Sequence, residues 1–93
     1  MTEQALQTKI INLIKKKGFW ATKVISSSKT GTPDILACIH GRFVAIEVKA
    51  PGKINNVTDL QRAQLNAIIE SGGRAAVVDS IEDLDTLRIF EYL

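Results

Sequence analysis

The sequence contains few of the residues that build disulfide scaffolds or collagen-like repeats, and it has no long apolar run. Among its 93 residues are one cysteine, two prolines and six glycines. An internal disulfide and a proline- or glycine-rich repeat are therefore excluded. No apolar run approaches the roughly 20 residues that a membrane helix needs. The N-terminal residues lack the basic region and apolar core of a signal peptide, so a cytoplasmic protein is expected.

The remaining composition is that of one compact domain, predicted to span residues 1–93. Hydrophobic residues make up 45% of the chain and charged residues 24%, an ordinary balance for a globular protein. The formal net charge is only +2, which is compatible with nucleic-acid binding without indicating it. Cys38, inside an apolar stretch, is expected in the core, and Trp20 in the core or a dimer interface.

Hydrophobic periodicity and turn residues predict an α/β fold with the element order α-β-β-β-α-β-α. Helices are expected at residues 2–17 and 58–71 and from residue 80, and strands at 19–25, 35–39, 43–49 and 75–78. His40-Gly41 is the expected turn of an antiparallel hairpin. The helix between the last two strands predicts a parallel crossover, so the four strands should form a mixed sheet flanked by helices.

The hairpin register brings two carboxylates together. A loop centred on His40-Gly41 pairs Cys38 with Phe43 and, four residues further along each strand, Asp34 with Glu47. Directly opposed side chains have Cβ atoms about 5 Å apart, where like charges are destabilising. A divalent cation such as Mg²⁺ or Mn²⁺ would offset them. Alone, Asp34 after a proline would be an ordinary turn residue.

The segment Glu47-Val48-Lys49 places the positive charge of a lysine beside these two carboxylates. Glu47 and Lys49 share one face of a strand that is otherwise rich in apolar, β-branched residues. Such a strand is expected in the middle of the sheet, where a charged pair is costly unless it is used. The alternative is an exposed ion pair on an edge strand.

Two polar residues lie in the centre of helical apolar stripes. On a wheel of about 100° per residue, Glu3 aligns with the stripe of the first helix and Gln61 with that of the second. Both side chains should lean toward the sheet. Each also has a simpler explanation: Glu3 as a first-turn acid after an N-cap threonine, and Gln61 as the partner of Thr58 in a capping box. These roles do not exclude each other.

These residues resemble a known nuclease motif. Gly31-Thr-Pro-Asp34 followed by Glu47-Val-Lys49 resembles the PD-(D/E)XK signature, and the surrounding sequence is similar to the VRR-NUC family, the virus-type replication-repair nucleases. The similarity covers nearly the whole chain. It includes an acid on the first helix, at Glu3, and a glutamine on the helix after the lysine, at Gln61.

The resemblance implies a restriction-endonuclease-like fold and a metal-dependent DNA endonuclease. By this resemblance, Asp34, Glu47 and the main-chain carbonyl of Val48 hold Mg²⁺ or Mn²⁺. Lys49 is the catalytic lysine, with Glu3 and Gln61 completing the site. Basic side chains that could contact the DNA backbone are Lys23, Lys29, Arg42, Lys53 and Arg62.

Short members of the family resemble stand-alone phage enzymes, so the expected location is the cytoplasm of a bacterial host if a phage encodes this chain. The resemblance also implies a homodimer that cuts branched or locally unpaired DNA, such as flaps, bubbles and four-way junctions. Candidate interface residues are Trp20, Phe90, Tyr92 and Leu93. Two other functions remain open on the sequence: a non-cleaving nucleic-acid-binding module with the same fold, and a protein-interaction domain in which the carboxylates would be idle.

Overall fold

The computed structural model describes residues 1–92 and has the element order expected from the sequence. The helices and strands are α1 (Glu3–Lys16), β1 (Trp20–Lys23), β2 (Ile35–Ile39), β3 (Arg42–Val48), α2 (Asp59–Glu70), β4 (Arg74–Val78) and α3 (Glu82–Thr86). The first strand is shorter than the predicted span of 19–25. In the described part of the chain, no helix is long and apolar enough to cross a membrane. Leu93 lies outside the described residues.

The four strands form a single mixed sheet in the order β1-β2-β3-β4. Strands β2 and β3 are antiparallel, with Cys38 opposite Phe43 and Ile35 opposite Ile46, and this confirms the predicted register. Strand β4 runs parallel to β3 after the α2 crossover. Strand β3 is therefore an interior strand, as its apolar composition indicated.

The hairpin turn consists of two residues with left-handed backbone conformations. His40 has a φ of 52° and Gly41 a φ of 76°, the combination that type I′ hairpin turns require. The His40 ring is held at 3.1 Å from the Phe90 carbonyl oxygen. This turn fixes which residues of β2 and β3 face each other, including those at the far end of the hairpin.

The two faces of the sheet are covered unequally. Helix α1 packs on one face against β1, β2 and β3, where its residues Leu6, Ile10 and Ile14 join the buried core. Helix α2 packs on the other face against β3 and β4, with Leu65 buried beneath it. No helix among residues 1–92 covers β1 and β2 on that second face.

The uncovered region explains why the expected burial of Cys38 is wrong and why Trp20 lies outside the core, while a dimer interface at Trp20 stays a prediction. Cys38 is exposed, and Trp20 is 59% exposed. Both side chains point to the second face, because Trp20 pairs with Cys38 across the strands. The apolar neighbours of Cys38 suggested a buried residue, but strand alternation buries Ala37 and Ile39 on the opposite face instead.

Gly31 brings the loop before β2 into contact with the first turn of α2. Its φ is +83°, and a Cβ atom at this position would lie 2.6 Å from the Leu60 carbonyl carbon and 2.8 Å from the Gln61 nitrogen. Both contacts are with backbone atoms, which cannot move without shifting the helix. Only glycine allows this approach, which sets the position of Gln61 relative to Asp34.

Gly31→Ala should therefore destabilise the fold by roughly 3 kcal/mol or more, because backbone strain and a steric clash add together. Gly52→Ala is the matched control, since Gly52 has a φ of +82° but nothing within 4 Å of its added Cβ. The control should lose about 1–2 kcal/mol from the positive φ alone. Denaturant unfolding of both variants measures the difference, and equal losses would show that the contact with α2 is unimportant.

Candidate active site and metal centre

The hairpin brings Asp34 and Glu47 together at the end of the sheet opposite the turn. Asp34 immediately precedes β2, and its main-chain carbonyl accepts a 2.8 Å hydrogen bond from the Val24 N–H. Its Oδ2 accepts another, also of 2.8 Å, from the Val48 N–H on β3. The Asp34 side chain is thus fixed against the strand that carries Glu47.

Glu3 completes a group of three carboxylates. It lies in the first turn of α1, where the N-cap Thr2 accepts a hydrogen bond from the Ala5 N–H. One carboxylate oxygen each from Glu3, Asp34 and Glu47 lie within 4.8 Å of one another. The structure therefore brings Glu3 close enough to share one metal ion with the two residues predicted from the hairpin.

Gln61 links the carboxylates to Lys49 and also caps its helix. Its Oε1 accepts hydrogen bonds from Lys49 Nζ, at 2.9 Å, and from the Thr58 N–H, at 3.0 Å. Its Nε2 donates to Glu47 Oε2 at 3.3 Å. The two roles considered for Gln61 thus coexist, since one side chain completes the capping box and reaches the site.

Lys49 supplies the positive charge nearest to the carboxylates. Its Nζ lies 3.4 Å from Glu47 Oε2, on the same face of the sheet. The main chain of Lys49 is anchored by a 2.8 Å hydrogen bond from its N–H to the Val78 carbonyl of β4. The alternative of an exposed edge pair is therefore wrong, because Glu47 is only 2% exposed and β3 is an interior strand.

The pKa of Glu47 is raised to about 8, first by burial and then by the nearby negative charge of Asp34, whereas Lys49 opposes the shift. A carboxyl group with such a pKa holds a proton near neutral pH when no cation is present. The positive charge of Lys49 is therefore not enough to keep all three carboxyl groups ionised near neutral pH when no cation is present.

The donor set fits a divalent cation. In the described residues, Glu47 Oε1 is buried without a hydrogen-bond partner, an arrangement that calls for an explanation in a folded protein. Carboxylate oxygens are the ligands that Mg²⁺ and Mn²⁺ prefer. Glu3, Asp34 and Glu47 would hold the ion, and the cation would satisfy the free oxygen of Glu47.

Gln7 is a residue of this region that the sequence reasoning missed. It is 5% exposed, and its Oε1 is buried with no hydrogen-bond partner among residues 1–92. Gln7 lies one helical turn after Glu3 on the same face of α1. The helical-wheel argument that selected Glu3 applies equally to Gln7, about 40° away, so the signal was present.

All five basic side chains predicted to contact DNA are exposed, but they are not equally placed. Lys23 ends β1 beside Asp34, Lys53 follows β3, and Arg62 follows Gln61 on α2. Arg42 instead begins β3 at the hairpin turn, about 17 Å from Glu47 at 3.4 Å per residue. Its position therefore suits only DNA that extends along the whole sheet.

Residues 1–82 match the model of the VRR-NUC domain. The chain belongs to the VRR-NUC family. This confirms the resemblance drawn from Asp34, Glu47 and Lys49 and identifies the chain as a nuclease domain, for which DNA is the substrate and a divalent metal the requirement.

Similar proteins agree with the family assignment. "Putative nuclease p44" of Acyrthosiphon pisum secondary endosymbiont phage 1 is 28% identical over 86 residues, covering 91% of this chain and 89% of that protein. A solved structure named "VRR_NUC domain" has a TM-score of 0.80 at 24% identity and covers 99% of this chain and 100% of its own. A second, "VRR_NUC domain protein", has a TM-score of 0.78 at 22% identity, with coverages of 96% and 86%. Both structures confirm the fold.

The raised pKa of Glu47 predicts how stability depends on pH in metal-free protein. The folded chain binds this proton more tightly than the unfolded chain, whose model value is 4.5. The free energy of unfolding should therefore fall as pH rises from about 5 to about 8. Glu47→Gln stays neutral and should lose this decline, whereas Glu70→Gln, at an exposed position, should keep it. Denaturant unfolding in chelator at several pH values tests this, and parallel curves for wild type and Glu47→Gln would contradict it.

Proposed function

We propose that this chain is a Mg²⁺- or Mn²⁺-dependent endonuclease that hydrolyses DNA phosphodiester bonds. The observation that supports this function best is the convergence of three carboxylates within 4.8 Å beside Lys49. Repelling charges at this distance are costly in the free protein and become favourable around a cation. The site residues are Glu3, Asp34, Glu47, Lys49, Gln61 and the main-chain carbonyl of Val48.

Each side chain has a distinct task in this proposal. Asp34 and Glu47 would hold the ion together with the Val48 carbonyl, and Glu3 would complete the ligand set. Such a cation would supply Lewis-acid activation of a water nucleophile and would offset the negative charge of the scissile phosphate. Lys49 orients the nucleophile and offsets the charge that develops on the phosphate. Gln61 holds Lys49 in place, because its Oε1 accepts a 2.9 Å hydrogen bond from Nζ.

A non-cleaving nucleic-acid-binding module is the main rival. Such a module has no use for an intact metal site, yet Asp34, Glu47 and Lys49 are all present. Gln61 links Glu47 to Lys49 by hydrogen bonds, and Asp34 accepts one from the Val48 N–H. A protein-interaction domain fits this site even less well, because burying carboxylates that lack full compensation lowers the stability of the fold and would serve no function in such a domain.

We further propose a homodimer that prefers branched or locally unpaired DNA. One small domain carries one site, whereas a four-way junction requires paired cuts on symmetry-related strands, and a two-fold dimer matches that symmetry. Of the predicted interface residues, Tyr92 is 80% exposed and lies against His40, while Phe90 is half-buried and stacks on Phe19. The C-terminal aromatic cluster around Tyr92 is therefore the proposed interface, and Trp20 lies on a different surface.

Asp34→Asn should abolish metal binding and cleavage together. The variant keeps an oxygen that can accept the hydrogen bond from the Val48 N–H, but it removes one negative charge from the group of carboxylates. The metal-free fold should therefore be as stable as wild type or slightly more so. Calorimetric titration with Mn²⁺ and cleavage of linear, flap, bubble and four-way substrates measure both properties, with light scattering for the oligomer. Wild-type cleavage rates in Asp34→Asn would refute the site, and a monomer that cuts all substrates equally would refute only the dimer and the selectivity.

Lys49→Ala should lower kcat by roughly 100-fold with little loss of DNA affinity, because its charge acts mainly on the transition state. Its removal also withdraws the group that lowers the pKa of Glu47, so in chelator the decline of stability with pH should extend to higher pH. Lys53→Ala, at an exposed loop position, is the comparison: it should weaken binding in a salt-dependent way and spare kcat. If Lys49→Ala shows the Lys53→Ala pattern, Lys49 is an ordinary phosphate contact.

A further inference from the structure

The open face of the sheet carries a row of exposed, largely apolar side chains that runs from the two strands left uncovered by α2 to the edge of α2. Trp20, Cys38 and Phe43 lie side by side on β1, β2 and β3. Trp20 is 59% exposed and Phe43 47% exposed. Adjacent strands are about 4.8 Å apart, so the row spans roughly 10 Å. Two aromatic rings on one open sheet face form a platform on which flat groups can stack.

A groove of about 430 Å³ adjoins this row at Phe43 and is bounded on its other side by α2. Its floor includes Leu36 and Phe43 of the sheet, and its wall includes Ala67 and Ile68 of α2. Phe43 and Ile68 are held close together by Gly73, where an added Cβ would lie 3.2 Å from the Phe43 ring and 2.9 Å from Ile68. The groove is therefore a feature of the packing between α2 and the sheet.

The groove adjoins the candidate active site on two sides. Pro33 lines it and directly precedes Asp34, while Gln64 lines it one helical turn after Gln61. Glu47 and Phe43 also point to the same face of β3, being four residues apart on one strand. A DNA strand with its phosphate at the carboxylates would thus have neighbouring nucleotides at the groove.

The charge of the groove suits an anionic chain. Within the described residues 1–92, Lys29 is the one charged side chain that lines it, and no acidic side chain does. Ser27, Thr32 and Gln64 add hydrogen-bonding groups at the rim. An apolar floor with a basic and polar rim is the arrangement that binds a base by stacking and its phosphate by charge.

We propose that this groove and the Trp20–Cys38–Phe43 row bind unpaired nucleobases of the DNA strand that is cut. This inference rests on the proposed nuclease function and specifies its substrate. Bases inside a duplex are stacked and paired, so they cannot enter the groove, whereas bases of a flap, a bubble or an opened junction can. Stacking on aromatic side chains tolerates any sequence, because every base has a π-face. The groove therefore selects for DNA structure and not for DNA sequence.

Trp20 provides a direct probe, because it is the one tryptophan in the chain. Its fluorescence is measured in chelator, without cleavage, during titration with three oligonucleotides of equal length: single-stranded DNA, abasic single-stranded DNA and blunt duplex. Single-stranded DNA should quench Trp20 and the other two should not. Equal quenching by abasic DNA would overturn the proposal, since it would show binding of phosphates without bases.

Ala67→Glu places a negative charge on the groove wall, and Asn66→Glu places the same charge at a neighbouring exposed position that does not line the groove. Ala67→Glu should weaken single-strand binding roughly tenfold, the equivalent of losing one stacked base, while Asn66→Glu should retain wild-type affinity. Lys29→Ala, on the loop opposite α2, is a second test that leaves the helix unchanged and should also weaken binding. Equal affinities for Ala67→Glu, Lys29→Ala and wild type would overturn the proposal.

Three further outcomes separate this proposal from its alternatives. If the groove is covered by a second copy of the chain, Ala67→Glu should convert a dimer to a monomer in light scattering and DNA should leave Trp20 unquenched, which would overturn the inference. Base-dependent quenching in a protein that cuts no DNA with Mg²⁺ or Mn²⁺ would refute the nuclease proposal alone. Metal-dependent cleavage without base-dependent quenching would refute the groove alone.

Discussion

Repulsion among three carboxylates is the constraint around which the rest of the molecule is arranged. Glu3, Asp34 and Glu47 come from three separate elements, yet their oxygens lie within 4.8 Å of one another. The fold tolerates this through the Val48 N–H, which binds Asp34, and through Gln61 and Lys49, which bind Glu47. These contacts do not fully compensate, since the pKa of Glu47 rises to about 8 through burial and the nearby charge of Asp34. A small domain can retain this unfavourable repulsion at a functional site, because a bound cation would make the same arrangement favourable.

The same side chains couple the stability of α2 to the geometry of the site. Gln61 Oε1 accepts hydrogen bonds from both the Thr58 N–H and Lys49 Nζ. The capping box therefore fixes the position of the amide that holds the lysine, and no separate residue is needed for that task. Gly31 adds a backbone contact between the loop before Asp34 and the first turn of α2. A change in the packing of this turn should therefore shift the positions of the carboxylates even when the acidic residues themselves are not substituted.

Unequal coverage of the sheet gives the molecule a closed face and an open one. Helix α1 and the residues after β4 bury one face completely, which provides most of the hydrophobic core. On the other face, α2 covers only β3 and β4, so the active-site end, the groove and the Trp20–Cys38–Phe43 row remain accessible together. Asp34, Glu47 and Lys49 lie on the open face, whereas Glu3 reaches the site from α1 on the closed face.

The sequence by itself determined the order of the elements, the hairpin register and the pairing of Asp34 with Glu47. These follow from local physics: strand alternation, the left-handed turn at His40-Gly41 and helix caps act over a few residues, so they are readable from the chain. Helical periodicity also indicated that Glu3 and Gln61 face the sheet, and it contained the unnoticed signal for Gln7. Only the tertiary structure decided that Glu3 reaches the carboxylates, that Gln61 serves the cap and Lys49 at once, and that Cys38 and Trp20 are exposed. Those outcomes depend on where α1 and α2 dock on the sheet, and docking is set by long-range packing that local patterns do not encode.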